Sequence, residues 1–161
     1  MRTEGMGEKE SLPLAALEDV IREELASGGS AVINIRGQSM LPLMKEGTCN
    51  VRIVPATFPL KKYRIPLYKR EDGQFVLHRV IRVKKNGYVC RGDHQIQKEF
   101  PVTDSMIIGV ADARIVKGKE KPLRSAFALV QGCFLAETAW LRGMARLCIG
   151  KLGRLWKGTK K

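Results

Sequence analysis

FVLHRVIRVKKNGYVCRGD, residues 75–93, decides the fold. From Phe75 to Val83 apolar side chains recur on alternate positions, the period of a half-buried strand. Lys84-Lys85-Asn86-Gly87 is a tight hairpin signal, because Asn-Gly supplies the left-handed backbone that a two-residue turn needs. YVCRG (88–92) alternates again, and Gly92-Asp93 closes it as a turn. The stretch therefore predicts an antiparallel hairpin. Within its first strand Phe75, Leu77 and Arg79 share one face, while Val76, His78 and Val80 share the other. A histidine among valines on the core-facing side needs a reason to be there.

The same pattern extends on both sides. AVINIRG (31–37), NVRIV (50–54) and SMIIGVADARIV (105–116) alternate, and turn residues at Pro55, Pro59, Glu71-Asp72-Gly73 and Gly92-Asp93 separate the runs. Many short strands with frequent turns predict a mainly β fold whose antiparallel sheet coils or partly closes into a barrel. Before it, ESLPLAALEDVIREELAS (10–27) carries Leu14, Leu17, Ile21 and Leu25 at helical spacing, with Ser11 as a candidate N-cap and Gly28-Gly29 as a stop. After it, Phe127, Val130, Phe134, Leu141, Cys148, Leu152 and Leu155 form an apolar stripe at near-helical spacing, interrupted by glycines. The expected organisation is an N-terminal helical segment over 1–29, a β domain over 30–120 and a basic amphipathic helical segment over 121–161.

The chain has 161 residues and a net charge of +13. The charge is uneven: 3 basic and 7 acidic residues in 1–30, 17 and 8 in 31–120, and 9 and 1 in 121–161. Such a balance attracts anions without naming one. The basic residues are dispersed, aromatics are few and no recognised nucleic-acid motif occurs, so a nucleic-acid partner is not expected. The C-terminal stripe, with Trp140, Trp156 and its basic flank, is suited to an anionic membrane surface as well as to packing on its own sheet. No run of 18 apolar residues and no secretory leader pattern is present, so the expected location is cytoplasmic, with peripheral membrane association through the C-terminal segment as the variant. Four scattered cysteines without a C-x-x-C pair, and two histidines, predict neither a structural zinc site nor any cofactor.

A serine stands in RGQSMLPLMKEGT (36–48), a short apolar run punctuated by Gly37, Pro42 and Gly47. A serine hydroxyl becomes a nucleophile only beside a base, and the base needs an orienting partner. Gly37-Gln38-Ser39-Met40-Leu41-Pro42, then His78-Arg79-Val80, then Gly92-Asp93, then Ile108-Gly109-Val110, in that order, resembles the type I signal peptidases. It is closest to the branch of archaea and the endoplasmic reticulum, which uses histidine where bacterial enzymes use lysine. Self-cleaving SOS-type repressors are related. The resemblance covers roughly Ile33 to Val116.

It implies a serine endopeptidase of that fold, cleaving a leader or small precursor peptide after small residues without a cofactor. Ser39 would be the nucleophile and His78 the general base. Asp93 would support His78, with Asp104 and Glu99 as alternative acids. Gly37, Gln38, Met40 and Pro42 would shape the turn and the oxyanion site. With Gly37 two positions before the serine, that site would rely on backbone amides. Two other readings stand beside it: a binding or scaffold module that kept the fold without cleaving, and a basic membrane-surface adaptor working through its C-terminal segment.

Overall fold

The computed structural model describes residues 14–123, with Phe134 and Thr138 beyond them. The chain is mainly β, with a strongly curled antiparallel sheet forming a half-barrel. After a short 3-10 turn at Leu14–Leu17 comes α1 (Glu18–Ala26). Nine strands follow: β1 (Ala31–Asn34), β2 (Cys49–Val54), β3 (Pro66–Lys69), β4 (Phe75–Leu77), β5 (Arg79–Lys84), β6 (Gly87–Arg91), β7 (Glu99–Val102), β8 (Ile107–Val116) and β9 (Lys119–Pro122). The N-cap expected at Ser11 and nearly all of the C-terminal amphipathic segment lie outside the described residues.

β8 is the spine of the larger sheet, whose order is β1-β2-β8-β3-β4. One edge of β8 pairs with β2 from Val110 to Val116. Its other edge pairs first with β3 and then with β9. The smaller sheet runs β5-β6-β7. The hairpin falls where expected, but Lys85 and Asn86, not Asn86 and Gly87, form its two-residue turn: Lys84 pairs with Gly87, and of these residues only Gly87 has positive φ.

The apolar core forms two clusters, one on each side of β3. Leu67 and Tyr68 are successive strand residues and point to opposite faces. Leu67 joins Ile21, Leu25, Ile33, Met40, Leu43, Met44, Val51, Ile53 and Ile108 on one side. Tyr68 joins Leu60, Val76, Val80, Tyr88, Cys90, Val102 and Val110 on the other, between the sheets. α1 lies on the first side through Ile21 and Leu25. A Cβ at Gly109 of β8 would come within 2.8 Å of Leu25 Cδ1 and 2.6 Å of Ile53 Cγ2, so this glycine is what lets the helix approach the sheet.

Residues 75–83 do not form one strand. Phe75–Leu77 pairs with β3, whereas Arg79–Lys84 pairs with β6. His78 sits at the handover between the sheets. The hydrophobic pattern does not mark this break, because Val76, His78 and Val80 are buried on both sides of it; the sign is Arg79, charged and equally buried beside them. Three strands left no signal of their own. PLYK buries three successive residues and so lacks alternation. EFPV is short and contains a proline, and KEKP is fully exposed.

Candidate functional site

The serine turn follows β1. The amide of Leu41 donates to the carbonyl of Gln38 at 3.2 Å, and that of Met44 to the carbonyl of Met40 at 2.9 Å, winding residues 38–44 into consecutive tight turns. Gly37 has φ +80°, a left-handed conformation open to glycine at little cost. Met40, Leu43 and Met44 anchor the turn in the core, while Pro42 and Gln38 are exposed and Ser39 is half-buried.

A second loop, between β6 and β7, braces this turn. The amide of His94 donates to the carbonyl of Ser39 at 2.8 Å. Gly92 lies against Ser39 so closely that a Cβ there would stand 2.7 Å from the Ser39 carbonyl and 3.0 Å from its Cβ. Gly92 is therefore a contact residue of the serine turn, a role its place in a turn sequence does not reveal.

His78 is 2 % exposed. Its Nδ1 lies 3.0 Å from Glu99 Oε1 and 3.3 Å from the Tyr68 hydroxyl. The Tyr68 hydroxyl donates to Glu99 Oε2 at 2.7 Å. Arg70 Nε donates to the same oxygen at 3.0 Å, and Arg70 Nη2 donates to Oε1. Glu99 is thus the carboxylate on His78. The Tyr68 proton is spent on Glu99, so both groups facing Nδ1 present lone pairs, and the tautomer that fits carries its hydrogen on Nδ1. Nε2 is then the unprotonated nitrogen.

Asp93, expected to support His78, does something else. Its two oxygens take Arg79 Nε at 2.8 Å and Nη2 at 2.7 Å, a two-pronged pair with both side chains buried. His78 sits at the handover between the sheets and Arg79 opens β5, and the two neighbours meet different carboxylates: Glu99 of β7 on the imidazole, Asp93 of the loop after β6 on the guanidinium. The negative charge of Asp93 also favours the charged form of His78. Asp104 is also elsewhere, accepting from the Tyr88 hydroxyl at 2.7 Å.

The electrostatics follow from this packing. Burial pushes His78 below its ordinary range, and the charge of Arg70 adds to that, while Glu99 pulls the other way. For Glu99 burial acts upward, but the hydrogen bonds from Arg70 and Tyr68 outweigh it and hold the carboxyl below its ordinary range. Burial pushes the Tyr68 hydroxyl strongly upward, so it stays a proton donor.

Ser39 and His78 line the same cavity, about 650 Å³ in volume. Its walls are Leu17 before α1, Val20 and Ile21 of α1, Val32 to Arg36, Met40, and Phe75 to Leu77, with Arg70 and Gln95 among the polar members. An apolar cleft with a few converging polar groups is the usual form of a ligand site. Sequence reasoning missed Tyr68 and Arg70, since PLYKR carries no periodic pattern that would place them against His78. No helix among the described residues is long and apolar enough to cross a membrane.

No protein-family model, curated protein or solved structure matches this chain.

Proposed function

We propose that the protein is a serine endopeptidase that works through Ser39, His78 and Glu99. One observation carries the reading: a half-buried serine and a buried histidine line one cavity, and Nδ1 of that histidine is held by a carboxylate. In the reaction so read, Ser39 Oγ attacks a peptide carbonyl and its proton passes to Nε2 of His78. That nitrogen then protonates the leaving amine as the C–N bond breaks. Water, deprotonated by the same nitrogen, cleaves the Ser39 ester and frees the acid. Glu99 stabilises the imidazolium while it exists. The backbone amide of Ser39 is suited to the developing oxyanion, the position before Gln38 being a glycine without a side-chain donor. The signal-peptidase resemblance supports the same reading, and the leader or small precursor peptide it implies is the proposed substrate class.

The test is cleavage of a defined peptide mixture by the full chain, read by mass spectrometry. Ser39→Ala and His78→Asn should each lower turnover by roughly 10³-fold or more while leaving the fold intact. An acyl adduct on Ser39 should be trapped at early times. Cleavage that survives Ser39→Ala, or a folded chain that cuts nothing, would sink the proposal in favour of a binding module.

A further inference from the structure

Arg70 is remote in sequence from Ser39 and stands across the β3–β4 turn from His78, and it makes the densest set of contacts to the supporting acid. Its Nε reaches Glu99 Oε2 and its Nη2 reaches Oε1, while Nη1 is held at 3.0 Å by the Gln74 side chain. Gln74 is itself fixed on the β3–β4 turn, where the Arg70 amide donates to its carbonyl at 2.9 Å. The guanidinium is therefore braced on one side and forked onto the carboxylate on the other. A planar five-donor group is the side chain suited to such a hold.

We propose that Arg70 is a positioning residue for His78: it fixes both Glu99 oxygens so that Oε1 faces Nδ1, and thereby presents Nε2 unprotonated to the cavity. Without it, among the described residues only the Tyr68 hydroxyl and His78 itself would hold the carboxylate. The fork also offsets the negative charge of Glu99. A buried imidazole beside an uncompensated carboxylate would be drawn toward the charged form and would lose the lone pair a base requires. The groups facing His78 are Tyr68 from β3, Arg70 just after it and Glu99 from β7, with the charge of Asp93 acting from the loop after β6. Arg70 is the only cation among them. The depressed His78 and Glu99 titrations agree with this balance. The consequence for catalysis rests on the peptidase reading above; the statement about tautomer and protonation does not.

The measurement that separates the two is long-range ¹H–¹⁵N correlation spectroscopy of the full chain across pH 4–9. The chain has two histidines, and His94→Gln assigns them. His78 should show the Nδ1–H tautomer and remain neutral below the free-imidazole value of about 6.5. Arg70→Gln should move its titration upward and mix the tautomers. Arg70→Lys restores the charge without the fork, so it should return the titration toward that of the parent while the tautomers stay mixed. An Nε2–H tautomer in the parent chain overturns the proposal. So does a folded Arg70→Gln chain with unchanged titration and tautomer, and so does Arg70→Lys behaving in every respect like Arg70→Gln. If the spectra follow expectation but Ser39→Ala changes no cleavage, the peptidase reading fails and the role of Arg70 stands. If Ser39→Ala abolishes cleavage while the spectra of Arg70→Gln are those of the parent, the reverse holds.

Discussion

The carbonyl of Ser39 is hydrogen-bonded to the amide of His94 at 2.8 Å, across 55 residues of chain. The serine turn and the loop after β6 are thereby one structural unit, and the Gly92-Asp93 pair serves that unit. Gly92 provides the close approach, and Asp93 ties the loop to Arg79 on β5.

Gly92→Ala should disturb Ser39 before it disturbs the rest of the fold. The added methyl meets backbone and the Ser39 Cβ, neither of which yields by a rotamer change. Overpacking of this kind costs about 1–3 kcal/mol. Chemical denaturation should show that loss, and peptide turnover should fall by more than the lost folded fraction explains. Full activity in a stable Gly92→Ala chain would show that the contact does not position the serine.

Arg79 and Asp93 should behave as a buried pair. Each side chain is nearly sealed from water, so removing one partner takes the two-pronged charge pairing away from the other. Asp93→Asn or Arg79→Met alone should destabilise by about 3–5 kcal/mol, and the double apolar replacement Arg79→Met with Asp93→Leu by much less. A double-mutant cycle in urea measures the coupling. His78 should keep its tautomer in every folded member of the series, because its carboxylate is Glu99.

Stability should fall in acid for two reasons that act in the same direction. His78 titrates lower in the folded chain than in the unfolded one, where the value is about 6.5. Its contribution is present above that unfolded value and is lost as pH falls from there toward the folded one. Glu99 is also depressed in the folded chain. Its contribution is present above about 4.3, the unfolded value, and is lost as pH falls through the folded one. Urea midpoints from pH 8 to pH 3 should therefore decline in two stages, the first near 6.5. His78→Asn should remove the first stage, and Glu99→Gln the second. For the peptidase reading, the acid limb of activity should lie below the ordinary imidazole range.

Cys90 should be inert in the folded chain. It is fully buried, and burial pushes its thiol up to about 12. Cys49 is buried and shifted in the same direction. Site-resolved alkylation at pH 8 should label both only under conditions that open the sheets. Rapid labelling of Cys90 in native buffer would mean that the inter-sheet core opens on the experimental timescale.

Much of this protein is local enough to be written in its sequence. Period-2 alternation marked β1, β2, β6 and β8, Asn86-Gly87 marked the hairpin, and Leu17, Ile21 and Leu25 marked the helix, because each of these depends on neighbours a few residues away. The placement of His78 toward the core followed from the same alternation. Ser39 and His78 were legible as candidates because hydroxyl and imidazole are the groups such chemistry uses.

Their supporting cast was decided only by tertiary structure. Whether Asp93 or Glu99 meets the imidazole depends on which strand faces which side of the His78–Arg79 step. That in turn depends on the chain changing sheets at His78, which no run of hydrophobic residues announces. Tyr68 and Arg70 reach His78 because β3 folds back on β4, but the carboxylate they hold comes from β7, 29 residues beyond Arg70. Alternation and turn chemistry act over a few residues, whereas the partner of a buried charge is chosen by the packing of segments far apart in the chain.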